Sequence, residues 1–305
     1  MSWKESLKQK IKYIYEEKYK LLMIIPMLLV VLSLIQIGAQ YYTTGDFIHR
    51  GVSLKGGSTI TLTSVESISP PELKFYLQQQ FPQADIDVRT LTVAGSVTGL
   101  AIDSDAQEKE EIDALLKVLE GKINLEKVGY SVEVTGAALG ASFFKQAGLA
   151  LLFSFVLMAI VVILYFRVWI PSLAVIAAAF SDIVVTMAIF NLTGMKLGTA
   201  GVAAFLMLIG YSIDTDILLT SRVLKRKEGT VMERIYGAIT TGLTMTFTTI
   251  ATVLIGLIFV KSEVIRQIML IIVIGVVMDM VMTWIQNVGF LRLYIEKKER
   301  EGKKF

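Results

Sequence analysis

The sequence predicts a membrane α-helical protein, with six transmembrane helices and an external ferredoxin-like α+β domain between helices 1 and 2. Three observations carry that prediction. Of the 305 residues, 54% are hydrophobic and 19% charged, with a mean hydropathy of +0.62, against about 25% charged in soluble domains. The apolar residues gather in runs as long as the roughly 17–25 residues that carry a helix across a bilayer. One polar stretch with mixed strand and helix patterning, residues 39–143, interrupts them. Together these exclude a soluble enzyme, an ordinary nucleic-acid binder and a disordered chain.

Residues 1–20 form a basic segment, and the first apolar run covers 21–38. That run is long for a signal-peptide core and passes into Gln40-Tyr41-Tyr42 rather than a small-residue cleavage site, so it reads as a retained signal anchor. Pro26 lies one turn inside it. Charges and turn residues divide the bundle over 144–293 into five further spans: Phe144–Phe166, Pro171–Phe190, Leu197–Thr220, Arg234–Val260 and Val264–Leu293. Residues 294–305 form a basic tail.

Charge placement orients the spans. Residues 1–20 carry six Lys/Arg, the loop after the fourth span carries Arg222, Lys225, Arg226, Lys227 and Arg234, and the tail from Arg292 adds six. Arg167 shares that side, while the opposite short turns carry only Lys196 and Lys261. The positive-inside rule then predicts a multi-pass protein of the cytoplasmic membrane with both termini cytoplasmic. Residues 39–143 lie outside and are acidic, with eight Lys/Arg against fourteen Asp/Glu.

Within 39–143, Thr59–Val65 alternates as a strand, and Ser69-Pro70-Pro71-Glu72 starts a helix running to Phe81. Residues 86–91 alternate again, and Gly95-Ser96 turns into a strand over Val97–Ile102. Asp103-Ser104-Asp105 is expected to cap a helix over Ala106–Leu119, before a last strand over Gly129–Val134. The resulting β-α-β-β-α-β order is the ferredoxin-like arrangement. The acidic cluster Glu108, Glu110, Glu111 and Asp113 reads as a solvated helix face.

No cysteine means no thiolate nucleophile and no Cys-type zinc site, and the single histidine, His49, excludes a His-rich one. No nucleotide-binding loop is visible, so no cofactor is expected. Chemistry concentrates instead in four carboxylates inside spans: Asp182, Asp214, Asp216 and Asp279. Each costs about 2.5–3.5 kcal/mol at mid-helix, so each needs a reason to be there. Asp214 and Asp216 are about 200° apart around a helix and cannot share a face. Asp214, with Tyr211 three residues before it, is expected to lie deeper, and Asp216 to reach toward the interface and Arg222. Two readings stand: a protonatable relay through Asp182, Asp214 and Asp279, or helix-to-helix glue through hydroxyls and amides. The threonines of the fifth span, with Thr241, Thr244, Thr248 and Thr252 at helical spacing, read as packing rather than conduction. Gly198, Gly201 and Gly210 mark the fourth span as closely packed.

Three motifs resemble a known family. Gly51-Val52-Ser53-Leu54-Lys55-Gly56-Gly57 is similar to the G-x-D-F-x-G-G signature that follows the first span of the SecD/SecF family of protein-export membrane proteins. Val134-Thr135-Gly136-Ala137-Ala138-Leu139-Gly140 resembles the family's V-G-P-x-x-G entry to the second span. Most specific is Gly210-Tyr211-Ser212-Ile213-Asp214-Thr215-Asp216 with Arg222 downstream, which resembles the SecF version of G-Y-S-[IV]-[ND]-D-T. Ser53, Leu54, Ala137 and Ser181 depart from the usual residues in a way that looks archaeal. The resemblance covers the whole chain. It implies a non-enzymatic six-span subunit that pairs with SecD and assists secretory protein substrates at a SecY-type translocon. Half of a small-molecule exporter and a purely structural assembly subunit are the rival functions. An intramembrane aspartyl protease lacks its Gly-x-Gly-Asp motif here, since Gly275 precedes Val276-Val277-Met278-Asp279.

Overall fold

The computed structural model describes residues 3–63, 68–93, 96–125, 127–226, 228–260 and 263–302. Ser64, Val65, Gly95, Lys227 and Lys261 lie outside the described residues. An N-terminal helix α1 (Trp3–Glu17) leads through α2 (Tyr19–Leu22) into α3 (Ile24–Thr44). The break falls at Met23, which puts Pro26 in the first turn of α3, where its missing N–H breaks little of the helical ladder. α2 and α3 together form the first membrane-crossing stretch, Tyr19–Thr44.

The sheet domain between the first and second spans begins with a single turn, α4 (Val52–Lys55), then runs β1 (Gly57–Thr63), α5 (Pro70–Gln80), β2 (Asp87–Val93), β3 (Ser96–Ser104), α6 (Lys109–Glu120) and β4 (Tyr130–Thr135). All pairs are antiparallel in the order β2-β3-β1-β4, with Ile60 opposite both Ile102 and Val132. This is the ferredoxin-like arrangement. The period of two places Ile60, Leu62, Leu100 and Ile102 under α5 and α6, where they pack with Leu73, Leu77, Leu115 and Leu119. The opposite face is polar, with Asp103 accepting from Thr59 Oγ1 and Arg89 Nε at 2.7 and 2.9 Å.

The second helix of this domain starts later than expected, and the second span starts earlier, at Ala137 rather than Phe144. Asp103 and Ser104 remain in β3, and α6 begins at Lys109 behind Glu108. Glu108, Glu110, Glu111 and Asp113 are all exposed, as a solvated face requires, and Glu108 and Glu111 also close a reciprocal capping box over the first turn. Ser104 Oγ accepts from Ala106 N, which turns the chain without starting a helix.

Five further helices complete the chain: α7 (Ala137–Phe166), α8 (Trp169–Leu192), α9 (Thr199–Lys225), α10 (Val231–Phe259) and α11 (Glu263–Val281). The last continues through a π-helical segment, Met282–Asn287, into α12 (Val288–Arg300). Among the described residues, six helical stretches are long and apolar enough to cross a membrane. α8 and α9 are the most buried, and α7 and α10 the least, so α8 and α9 sit centrally with α11 against both. The chain is a multi-pass membrane protein.

The glycine motif joins the two parts. Gly56 and Gly57 have φ of +93° and +140°, and a Cβ on Gly56 would stand 2.6 Å from the Ala137 Cα. Gly51 N donates to Leu197 O at 2.8 Å, and Leu197 N donates back to His49 O. The Gly194–Gly198 segment, which holds the short turn at Lys196, therefore carries the contact between linker and bundle. Lys196 and Lys55 both reach Asp85 of the sheet domain, at 2.5 and 3.6 Å. Partial burial pushes the Asp85 carboxyl up, but the hydrogen-bonded Lys196 ammonium and then Lys55 outweigh it and hold it below the usual carboxylate range. A lowered value stabilises the folded form above the unfolded value near pH 4, and that stability is lost as pH falls through the lowered one. Hydrogen exchange around Asp85, corrected for intrinsic rate, should therefore stay level from pH 7 to about 5 and rise only below about 4. Asp85→Asn should remove the acid step and cost under about 1 kcal/mol, because its side chain is 43% exposed and screened.

Candidate functional site: a buried carboxylate cluster

Asp182 on α8, Asp216 on α9 and Asp279 on α11 are each 0% exposed and meet inside the bundle. Asp279 lies near enough to the other two to interact electrostatically with both. Hydroxyls and an amide tie the three together. Ser212 Oγ donates to Asp182 Oδ2 at 2.6 Å, and Asn287 Nδ2 to Asp216 Oδ1 at 2.7 Å. Thr215 Oγ1 stands 3.0 Å from Asp279 Oδ2, and Thr283 Oγ1 stands 3.0 Å from both Asp216 Oδ1 and Asp279 Oδ1. Gln286 Nε2 donates to Ser181 Oγ beside Asp182.

Helical geometry explains the convergence. Asp279, Thr283 and Asn287 follow one another by four along the sixth span and so share a face. Ser212, Thr215 and Asp216 do the same on α9, at i, i+3 and i+4. The π-helical segment between α11 and α12 carries Thr283 and Asn287, and such segments loosen the regular ladder. Its Trp284 carbonyl accepts from the Tyr15 hydroxyl at 2.9 Å, while Arg292 holds the Tyr15 and Glu16 carbonyls. The N-terminal helix is thus fastened to the same segment that presents two ligands to Asp216.

Counting protons shows what the network lacks. A hydroxyl has one proton, so Thr283 can donate to Asp216 or to Asp279 but not to both. If it serves Asp216, its contact with Asp279 is a hydrogen bond only when Asp279 supplies the proton. Asp182 Oδ1 and Asp216 Oδ2 are buried without any partner, as are Gln286 Oε1 and Asn287 Oδ1. Among the described residues, no Lys, Arg or His nitrogen forms an ion pair with the three carboxylates. Three ionised carboxylates there would be uncompensated charge in a low-dielectric interior.

The depths of Asp214 and Asp216 are the reverse of the sequence expectation. Asp216 is fully buried, whereas Asp214 is exposed on the outer surface of α9, because the fold turns that face inward which also carries Ser212 and Thr215. Arg222 does not pair with Asp216 but donates to Gly237 O on α10. Gly210 is exposed with open space around it, unlike Gly201, which packs against Leu197, Gln267 and Ile271. Tyr211 is partly buried, with its hydroxyl unpartnered. The hydroxyls of Thr241, Thr244, Thr248 and Thr252 bond to carbonyls one turn back in α10. Sequence reasoning missed Ser212, Thr215, Thr283 and Asn287 as partners of the carboxylates. The spacing of four from Asp279 was the signal that pointed to the last two.

Comparison with known proteins gives this cluster its setting. Residues 115–297 match the family described as protein export membrane protein SecD/SecF, C-terminal. The chain is 38% identical over 297 residues to Protein-export membrane protein SecF of Pyrococcus furiosus, covering 97% of each chain. It is 36% identical over 282 residues to the SecF of Methanocaldococcus jannaschii, covering 91% of this chain and 96% of that one. The crystal structure of SecDF from Thermus, a translocon-associated membrane protein, superposes with a TM-score of 0.70 at 18% identity. That superposition covers 92% of this chain but only 38% of the longer one. With the span count, the inserted sheet domain and near full-length identity in agreement, the chain belongs to the SecD/SecF family of protein-export membrane proteins, on its SecF side.

Proposed function

We propose that this chain is the SecF-type accessory subunit of Sec protein translocation, and that with SecD it assists secretory proteins leaving a SecY-type channel. In this reading both termini are cytoplasmic, the sheet domain acts outside, and the buried aspartates take up and release protons from a transmembrane gradient. One observation carries the coupling: carboxylates from three different helices meet without a countercharge among the described residues, in a network short of protons. A change in protonation there alters the bonds between α8, α9 and α11 together, which is how a local charge change moves helices.

Pairing with SecD is supported by two features. The SecDF polypeptide from Thermus, of which the chain matches 38%, joins SecD-like and SecF-like parts by its name. Asp214, Gly210 and Met207 share the exposed face of α9, and a carboxylate left facing lipid is costly unless a neighbouring chain covers it. A purely structural role draws support from the same hydroxyl network, because interhelical hydrogen bonds also glue spans together.

Asp279→Asn separates the two roles, since the amide keeps the shape and one acceptor oxygen but cannot cycle a proton. Export of a secreted protein should lose its dependence on the proton gradient and slow at least several-fold, with SecD co-purification unchanged. Gradient-dependent export at the normal rate by an assembled Asp279→Asn protein would refute proton coupling and leave the assembly role standing.

A further inference from the structure

The end of the bundle that carries both chain ends has a groove of about 400 Å³ between α8 and α12. Ala174 and Ala177, three residues apart on α8, leave the space, and Leu173, Phe290 and Leu293 border it. Leu173 and Leu293 are exposed, so the groove opens on the lipid-facing surface. Its chemistry changes at the membrane boundary, where Lys297, one turn beyond Leu293, lines the mouth and is exposed. The first turn of α8 has no side-chain cap, because Val168 stands at its N-cap position. That helix end carries partial positive charge. Arg167, held left-handed at φ 55° just before it, is exposed as well. Trp169 is 69% exposed at the same level, the position of an interfacial aromatic.

We infer that this groove holds one chain of a resident anionic phospholipid, whose phosphate sits between Lys297 and the start of α8. An aliphatic chain matches the apolar lining, and a negative headgroup matches the cations at one end only. Basic pockets between spans on one side of a membrane select such lipids in general. A lysine that merely snorkels needs no groove beneath it.

The test uses the full chain, purified in detergent after incubation with vesicles of equal phosphatidylglycerol and phosphatidylcholine, and native mass spectrometry of the lipid retained. The wild type should keep one phosphatidylglycerol in preference to phosphatidylcholine by roughly fivefold, the effect of one basic residue near a headgroup. Lys297→Glu, at an exposed site that leaves the fold unchanged, should abolish that preference. Ala177→Trp should displace the lipid, with its thermal melt checked against the wild type. Retention without headgroup preference would overturn the inference, as would a preference untouched by Lys297→Glu. So would a wild type that holds no lipid because a second membrane chain covers the groove.

Discussion

Asp216→Ala should lower the stability of the bundle by about 2–5 kcal/mol, whereas Asp216→Asn should change it by less than about 1.5 kcal/mol. The difference follows from the partners. Asp216 Oδ1 accepts from Asn287 Nδ2 and stands within bonding distance of Thr283 Oγ1, all fully buried. Alanine leaves the Asn287 amide without an acceptor and opens a cavity, and each unsatisfied buried group costs about 1–3 kcal/mol. Thr283 escapes part of that cost because Asp279 Oδ1 is also 3.0 Å away. Asparagine retains an oxygen in the same place. Thermal unfolding in detergent measures the stability, and export in cells measures function. If the site is only glue, the asparagine variant exports normally. If it cycles protons, the asparagine variant is stable and inactive. A large loss of stability in Asp216→Asn would show that the carboxylate charge itself holds the helices.

Gly56→Ala should cost about 3 kcal/mol or more and loosen the sheet domain from the spans. The added Cβ would stand 2.6 Å from the Ala137 Cα and 2.8 Å from its nitrogen, and neither backbone atom can rotate away. A φ of +93° adds strain for any residue with a Cβ. Gly140 faces the same contact, with its Cβ direction 2.6 Å from Gly56 N. The double variant should therefore lose less than the sum of the singles, since both disrupt one junction. Protease sensitivity of the linkers at 45–56 and 135–137 reads the loosening. Gly210→Ala, where nothing lies within 4 Å, replaces a mid-helix glycine without a clash and should raise the isolated chain's stability by up to about 1 kcal/mol.

Much of the architecture was legible because it rests on short-range regularities. Span length follows from the thickness of a bilayer, and strand alternation follows from a period of two, so Ile60 and Leu62 declare their buried face without any knowledge of the sheet. The start of α6 was less legible. Asp103, Ser104 and Asp105 all cap helices well, and only pairing with β1 and β2 keeps Asp103 in a strand. The carboxylates were conspicuous by their cost, yet their roles were not. The 200° between Asp214 and Asp216 separates their faces but does not say which face is inside.

By itself the sequence determined that the chain crosses a membrane six times, where the ferredoxin-like domain is inserted and which carboxylates are expensive. Each of these depends on a local property: hydropathy over one span, a two-residue alternation, or a spacing along one helix. Only the tertiary structure decided that Asp216 rather than Asp214 joins Asp182 and Asp279, and that the Gly194–Gly198 turn clasps the linker. It alone fastened Tyr15 to the π-helical segment. Those outcomes depend on how α8, α9 and α11 rotate about their axes when they pack. That rotation is set by the summed contacts of three helices distant in sequence, and no single helix encodes it.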